Sequence, residues 1–263
     1  MARGPVLACL AAGAALALVA CGADEREEPS AAPPAAAADA RAAADSGSGA
    51  QGDAEARRPV LELPESGHPV IWPRPKERVV LRDRPGGKVI ARLGQETEWG
   101  SPTVLYVAER RGAWAGVPTP HRENGELAWV RLDATKLVAG SVPWEIRVDL
   151  SDFRAELRRD GKVVRSFAVT VGAPESSTPT GRFAVTDTFR GGLDPSYGCC
   201  AVALTARQPD LPSGWMGGDR IAIHGTDGPL GRAASHGCVR ARDADVNALV
   251  ERVPPGTPVT ITQ

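Results

Sequence analysis

Short apolar runs, separated by turns rich in glycine and proline, make up most of the chain after residue 68. The 263 residues include 29 glycines and 23 prolines, whereas aromatic residues amount to only 5%. Turn residues at this frequency interrupt long helices but are common between short strands. The sequence therefore predicts a mainly all-β protein and argues against a helical bundle.

Residues 142–263 carry the clearest strand pattern. Apolar and polar residues alternate from Ile146 to Leu150, and Asp160-Gly161 lies between two apolar runs as a two-residue hairpin turn. A single stretch with an apolar period of 3.6 follows Asp243, which we expect to cap one short helix. We interpret this segment as a mostly antiparallel β domain.

Residues 69–140 contain a second group of strand signals. Several short apolar runs, about five in number, predict a small barrel or half-barrel. The segment resembles the SH3-like modules found beside bacterial cell-wall enzymes. Such a module would either bind the wall and act as a spacer, or support the packing of the domain that follows.

Residues 1–21 resemble a bacterial lipoprotein signal. Arg3 precedes an apolar run over residues 6–20, which is short for a bilayer span of roughly 20 residues and leads into Cys21. We expect Cys21 to become the lipidated first residue of the mature chain and to anchor it to the cell membrane. A plain signal peptide and an uncleaved anchor are the alternatives. In each case the remainder is extracytoplasmic, in the cell envelope or periplasmic space.

Residues 22–68 consist largely of alanine, proline, glycine, serine and charged residues. Such a composition buries too little apolar surface to offset the entropy of ordering the chain. We therefore predict a disordered tether that holds the folded part clear of the membrane.

The charge balance excludes some classes of partner. The chain has 31 Lys and Arg residues against 32 Asp and Glu, a formal net charge of -1. This balance argues against a nucleic-acid-binding arm or a polybasic membrane-binding patch as the main binding feature of the protein. All but four of the 31 basic residues are arginine, a bias for which the sequence offers no functional explanation.

The residues that suggest chemistry lie close together near the C-terminus. Cys238 follows His224 and His236 within a short stretch, and a cysteine becomes a nucleophile only beside a base or a cation. His224 ends an alternating strand, which would place its imidazole over a cleft. Gly225 and Gly237 permit close backbone approach, and the amides around Gly237 and Cys238 are natural donors to an oxyanion.

Other interpretations of this cluster remain open. His224, His236 and Cys238 would form a zinc site with Asp227, although their spacings match no usual zinc pattern. Cys238 would otherwise be a buried structural thiol or half of a disulfide.

The order of these residues resembles a known signature. His224, a glycine-containing loop and then Ser235-His236-Gly237-Cys238-Val239-Arg240 are similar to the motif of the L,D-transpeptidases, the YkuD-type catalytic domain of bacterial cell-wall enzymes. Residues 178–183 and Tyr197-Gly198 also resemble that family and come in the expected order. The resemblance covers about residues 142–263 and implies the β-sandwich fold of these enzymes.

The resemblance implies a reaction on peptidoglycan stem peptides. Cys238 would attack a tetrapeptide donor stem and expel its terminal D-alanine, with His224 as general base and the Gly225 carbonyl orienting the ring. The resulting thioester would react with the amine of an acceptor stem to give a 3→3 cross-link. No metal or other cofactor is implied, and carbapenem-type β-lactams are the expected covalent inhibitors.

The resemblance also implies supporting roles for neighbouring residues. The backbone of His236 and Gly237 would shape the oxyanion site. Tyr197 would line the donor cleft, and Ser235 would contact substrate while helping to order the loop. Arg240 would either complement a substrate carboxylate or lock the loop.

Three points stay open at this stage. Water as acceptor would make the protein an L,D-carboxypeptidase or a related hydrolase, and a catalytically silent wall-binding lipoprotein is a further alternative. Cys199 and Cys200 stand where relatives commonly have other residues. Because a bond between adjacent cysteines is strained, we expect one of them to pair with Cys238 under oxidation and switch the enzyme off. The loop over residues 226–234 is short and would narrow the acceptor side.

Overall fold

The structure is a computed structural model that describes residues 58–211, 213 and 218–263. The predicted signal peptide, Cys21 and most of the predicted tether lie outside these residues. Among the residues described, no helix is long and apolar enough to cross a membrane.

The N-terminal module, residues 58–142, contains eight short strands in two antiparallel sheets. They are β1 (His68–Pro73), β2 (Val79–Arg82), β3 (Val89–Leu93), β4 (Leu105–Tyr106), β5 (Glu109–Arg111), β6 (Trp114–Pro118), β7 (Leu127–Arg131) and β8 (Leu137–Val142). One sheet has the order β4-β1-β8 and the other β3-β2-β7-β6-β5. Both sheets contribute to one core, which includes Ile71, Leu81 and Leu137. The likeness to SH3-like modules stays a prediction.

The N-terminal module begins earlier than the sequence indicated. Leu61 N–H donates to the carbonyl of Leu132 at 2.9 Å, and Leu61 and Leu63 pack against the core of the module. Residues 58–68 of the predicted tether are therefore attached to it. The average composition of the tether concealed these two leucines.

The C-terminal module, residues 143–263, forms a single curled sheet of ten strands with one helix, α1 (Asp243–Val250). The strands are β9 (Trp144–Asp149), β10 (Arg154–Arg159), β11 (Lys162–Ala168), β12 (Thr170–Gly172), β13 (Gly181–Phe189), β14 (Ala201–Arg207), β15 (Arg220–Gly225), β16 (Arg232–Ser235), β17 (Val239–Ala241) and β18 (Pro258–Thr262). Their order is β11-β10-β9-β18-β13-β14-β15-β17-β12-β16.

Strand β13 joins the two halves of this sheet. Its first part pairs with β18 and its second part with β14, so the sheet bends there and both halves enclose a common core. The pairs β9–β18, β15–β17 and β12–β16 are parallel, and the other pairs are antiparallel. The mainly β fold class is therefore confirmed.

Two local predictions had different outcomes. Asp160 and Gly161 have positive φ angles of 49° and 75° between the paired residues Arg159 and Lys162, as a two-residue hairpin turn requires. The predicted cap of the helix was wrong, because Arg242 occupies the N-cap position and Asp243 lies in the first turn. The Asp243 carboxylate instead accepts the N–H of Cys199 at 3.2 Å, a contact between segments distant in the chain.

Polar contacts join the two modules. Thr97 Oγ1 donates to Asp187 Oδ1 at 2.5 Å, and the side chain of Asn124 exchanges hydrogen bonds with the backbone of Arg207 at 2.6 and 3.0 Å. Since Asp187 and Arg207 lie on β13 and β14, the N-terminal module supports the same sheet that carries the cysteine and histidine cluster.

Candidate active site

Strands β15 and β17 lie side by side and bring together the residues singled out in the sequence. In their parallel register His224 is opposite Arg240, and the N–H of Ala222 points to the sulfur of Cys238 at 3.4 Å. Ile221 and Ile223 are buried in the core, which fixes the position of β15. His224 therefore lies on β15, and Cys238 lies in the loop directly before β17, the strand that pairs with β15.

The imidazole of His224 is buried, and its contacts define its proton position. Its Nδ1 lies 2.9 Å from the carbonyl oxygen of Gly225, which only accepts hydrogen bonds, so Nδ1 carries the proton in the neutral ring. The other nitrogen, Nε2, is then unprotonated and able to accept a proton. Burial lowers the pKa of His224 and the charge of Arg240 lowers it further, while the carbonyls of Gly225 and Tyr197 act in the opposite direction. The ring is consequently a neutral base at neutral pH.

The thiol of Cys238 is free and half-buried. Burial raises its pKa, and the N–H of Ala222 and the charge of Arg240 offset this only in part. A thiol with a raised pKa holds its proton at neutral pH. It therefore needs a neighbouring base at the moment of attack.

The cysteine loop, residues 235–238, is closed by its own side chain. The Ser235 hydroxyl donates to the Cys238 carbonyl at 2.6 Å and accepts the N–H of Gly237 at 3.2 Å. Ser235 is only 1% exposed and orders the loop, and the substrate contact predicted for it stays a prediction. The Gly237 amide, predicted to face an oxyanion, is likewise engaged within the loop.

Gln208 and Thr178 bind backbone carbonyls of the cysteine loop. The sequence did not indicate either residue as part of the site. The buried side chain of Gln208 directs Nε2 to the carbonyls of Ser176, Ser177 and His236 at 3.0, 3.1 and 3.2 Å. Thr178 Oγ1 donates to the carbonyl of Gly237 at 2.8 Å.

The close approach of Gln208 also explains a glycine. Gly237 has a φ angle of 107°, and a Cβ atom there would collide with Nε2 of Gln208. An isolated glutamine at the end of a strand belongs to no recognisable motif. Thr178 lies within the segment that resembles the family, but its bond to the loop was not foreseeable from sequence.

Tyr197 and Arg240 flank the reactive pair. The ring centroid of Tyr197 lies 4.9 Å from that of His224. Burial raises the pKa of Tyr197, and the nearby Cys238 raises it further. Arg240 Nε is buried and has no hydrogen-bond partner within the part of the chain described here. The structure therefore shows no loop-locking bond through that atom.

The two adjacent cysteines are bonded to each other, while Cys238 is a free thiol. The expected pairing of Cys199 or Cys200 with Cys238 is therefore not the arrangement observed. Cys199 is held beside helix α1 by its N–H bond to Asp243, whereas the Cys238 sulfur lies at the amide of Ala222.

The zinc interpretation also has no structural support in the residues described. Across residues 58–211, 213 and 218–263, no group of three or more His, Cys, Asp and Glu side chains is arranged to hold a metal ion. His224, His236, Cys238 and Asp227 are therefore not assembled as a ligand set.

Comparison with known proteins defines the class to which this site belongs. The profile of the YkuD family, described as the L,D-transpeptidase catalytic domain, matches residues 143–261. The chain is 30% identical over 125 residues to the L,D-transpeptidase-family protein YkuD of Bacillus subtilis, covering 47% of this chain and 68% of that protein. The chain therefore belongs to the L,D-transpeptidase family.

Solved structures give more distant matches. An L,D-transpeptidase of Enterococcus faecium is 21% identical, with a TM-score of 0.36, over 48% of this chain and 55% of that one. L,D-transpeptidase 3 of Mycobacterium tuberculosis, solved with a faropenem-derived adduct, is 18% identical, with a TM-score of 0.39, over 52% and 73% of the two chains. The chain thus spans only a little over half of the Enterococcus structure.

Proposed function

We propose that this protein is a peptidoglycan L,D-transpeptidase that forms 3→3 cross-links through a thioester on Cys238. The observation that carries the proposal is that the free thiol of Cys238 directly precedes β17, which pairs with the part of β15 that carries the buried His224. The 2.9 Å contact between Nδ1 of His224 and the Gly225 carbonyl leaves Nε2 to accept the thiol proton. Family membership supplies the substrate class, the peptide stems of the cell wall.

In the first half of the reaction, Cys238 is acylated by a tetrapeptide donor stem. The thiol transfers its proton to Nε2 of His224 as the sulfur attacks the carbonyl carbon next to the terminal D-alanine. The tetrahedral intermediate then collapses, the carbon–nitrogen bond breaks, and the imidazolium gives its proton to the departing amine. The products are a thioester on Cys238 and free D-alanine.

In the second half, an acceptor stem attacks the thioester. Its side-chain amine loses a proton to Nε2 of His224 and forms an amide bond, and the thiol of Cys238 recovers the proton on leaving. The geometry requires no cofactor for either half, since both proton transfers use the same ring.

The developing oxyanion needs hydrogen-bond donors, and the geometry of the cysteine loop limits which backbone N–H groups can serve. Because the N–H of Gly237 is directed to Ser235 Oγ, we assign the principal oxyanion contact to the N–H of Cys238, with the His236 backbone beside it. Arg240 has an unpartnered buried Nε within the described residues, which favours its role as the complement of a stem carboxylate. Tyr197, against the His224 ring, lines the donor side.

We further propose that the enzyme works outside the cytoplasmic membrane. The lipoprotein-like segment ending at Cys21 would anchor it, because several acyl chains at about 0.8 kcal/mol per buried CH₂ hold a protein stably at a bilayer. The tether would provide reach to the wall, and the N-terminal module, which we propose to be SH3-like, would bind or space the wall.

The proposal is tested by incubating the protein with disaccharide tetrapeptides and analysing the products by mass spectrometry. We expect dimers with a 3→3 link from the wild type and from His68→Ala, a control histidine on β1, but none from Cys238→Ala or His224→Ala. A carbapenem should add its mass to Cys238 in the wild type only. Tripeptide without dimer would instead identify a hydrolase. The absence of both a product and a carbapenem adduct would contradict an enzymatic role.

A further inference from the structure

The N-terminal module carries a concentration of positive charge far from Cys238. A cavity of about 400 Å³ opens on this module, and we call it the basic pocket. Six cationic side chains line it, namely those of Arg58, Arg78, Arg82, Arg92, Arg131 and Lys136. Asp133 is the carboxylate that shares the lining with them. The chain as a whole has a net charge of -1, so this grouping is produced by the fold.

The strand register brings three of these six cations together. Arg92 on β3 is paired with Val80 on β2, and Arg82 on β2 is paired with Trp129 on β7, the strand that also carries Arg131. Like charges on neighbouring strands are destabilising. A fold that keeps them in one concave site is expected to gain something from them other than stability.

The acidic groups at the pocket are already engaged. The Asp133 carboxylate binds Arg58 at 2.8 Å and also accepts bonds from Thr135. Glu77 lies 3.8 Å from Lys136. Arg78 and Arg92 are exposed at the pocket, and one guanidinium nitrogen of Arg131 donates to the carbonyl of Ala113 at 3.1 Å. The exposed guanidinium groups of Arg78 and Arg92 therefore remain accessible to an anion at the pocket.

The chemistry of arginine indicates the kind of anion that fits. The guanidinium group presents parallel N–H donors that match the oxygens of phosphate, whereas lysine offers a single point charge. Five of the six cations in the pocket are arginines.

We propose that the basic pocket is a binding site for a phosphate-bearing anion, separate from the peptide-processing site. Two sources supply that chemistry: a soluble phosphate compound, or the headgroups of anionic phospholipids. Arg58, the first residue described, lies in the pocket, and residues 22–57 of the predicted tether precede it in the sequence. A flexible chain of that length would reach about 30–35 Å, so a membrane that holds Cys21 lies within range.

The test compares two double variants of the full chain that lose the same charge. Arg78→Gln/Arg92→Gln removes two cations from the pocket, and Arg110→Gln/Arg154→Gln removes two exposed arginines elsewhere. One arm measures binding of inorganic pyrophosphate by calorimetry. The other measures binding to vesicles of phosphatidylcholine alone and of phosphatidylcholine mixed equally with phosphatidylglycerol. Circular dichroism and carbapenem labelling of Cys238 check that both variants are folded.

We expect the pocket variant to lose affinity for pyrophosphate by about tenfold or more, because charge-assisted hydrogen bonds are lost, while the control stays near wild type. The preference for vesicles with phosphatidylglycerol should fall in the same variant if the source is lipid. Pyrophosphate binding without that preference identifies a soluble ligand. If the pocket variant matches the wild type in both arms, or if both variants weaken equally, the proposal is overturned.

Discussion

The cysteine loop and the basic pocket handle polar groups in opposite ways. In the loop, the buried hydroxyl of Ser235 is bonded to the backbone of the loop itself, and the buried amide of Gln208 binds backbone carbonyls of the distant residues Ser176 and His236. In the basic pocket, three of the six cations come from adjacent strands, and Arg78 and Arg92 are exposed there. Polar side chains at the loop hold one backbone geometry, whereas these two arginines of the pocket are exposed to solvent.

This difference separates two uses of a polar residue. A buried, fully bonded group is costly to remove because its partners then lose their hydrogen bonds without access to water. An exposed cation in a cluster of like charge is cheap to remove for stability, and its loss matters only for what the cluster binds. Substitutions in the two regions should accordingly differ in what they change.

The largest effect is expected for the nucleophile. Cys238→Ala should lower the rate of dimer formation by on the order of 10⁴-fold or more, since no other group in the site replaces the thiol. The measurement is the initial rate of dimer formation from tetrapeptides. The same substitution should leave pyrophosphate binding unchanged, and a parallel loss of both would contradict the separation of the two sites.

A matched pair of glutamines tests the role of the loop contacts. Gln208→Leu should lower the free energy of unfolding by about 2–4 kcal/mol, because buried carbonyls lose their donor. Gln95 makes similar bonds, from Nε2 to the carbonyls of Arg74 and Glu77, but on an exposed surface. Gln95→Leu should therefore cost less than about 1 kcal/mol, since water replaces it.

The activity of the same variants shows whether Gln208 positions the loop or only stabilises it. At a temperature where Gln208→Leu remains folded by circular dichroism, we expect Cys238 to be acylated by a carbapenem at least about tenfold more slowly than in Gln95→Leu. Equal rates in the two folded variants would mean that Gln208 has a structural role alone.

The pH dependence of Cys238 acylation should show that the thiol of Cys238 and the imidazole of His224 are both neutral at rest and do not form an ion pair. Because the pKa of His224 is lowered, the fraction of neutral base falls only when the pH drops below the ordinary histidine range near 6.5. Because the pKa of Cys238 is raised, thiolate forms only above the ordinary cysteine range. Acylation of Cys238 by a carbapenem should thus rise from an acid limb below pH 6.5 to a plateau. Thiolate absorbance already present at neutral pH would refute this.

The smallest effect is expected for stability at the basic pocket. Arg92→Gln should leave the free energy of unfolding unchanged or raise it by about 0.5 kcal/mol at low salt, because repulsion is relieved. The gain should fade as salt screens the charges. Arg158, which is paired with Glu145 and Glu156 at 3.0 and 2.7 Å, is the matched control, and Arg158→Gln should lower stability. Urea titrations at two salt concentrations make the comparison, and a marked loss for Arg92→Gln would contradict it.

Local patterns in the sequence were sufficient for much of the fold. The Asp160-Gly161 turn and the strand from Ile146 were predicted because a hairpin turn and a period of two depend on neighbouring residues alone. Strands β1 and β8 were not predicted, although they pair over six residues, since their pairing partner lies far away in the chain. The helix was predicted, but Asp243 was assigned the wrong position because its carboxylate serves Cys199.

The residues of the candidate site also divide into those that the sequence indicated and those that it did not. The spacing of His224 and Cys238 and the residues around them indicated a thiol with its base, because reactive residue types are visible in a sequence and their family signature is ordered. Gln208 and Thr178 were not recognised, since a glutamine or threonine acquires its role only from the carbonyls it meets. The bond between Cys199 and Cys200 was likewise not predicted from the sequence.

Sequence alone thus determined the β class and indicated the candidate pair of His224 and Cys238, because side-chain chemistry and short-range periodicity do not depend on the rest of the chain. Only the tertiary structure decided which groups hold the cysteine loop and where the arginines gather. A net charge of -1 suggested no basic surface, yet strand pairing assembles one. Composition sums charges over the whole chain, whereas a binding site depends on their distances, and strand register sets those distances.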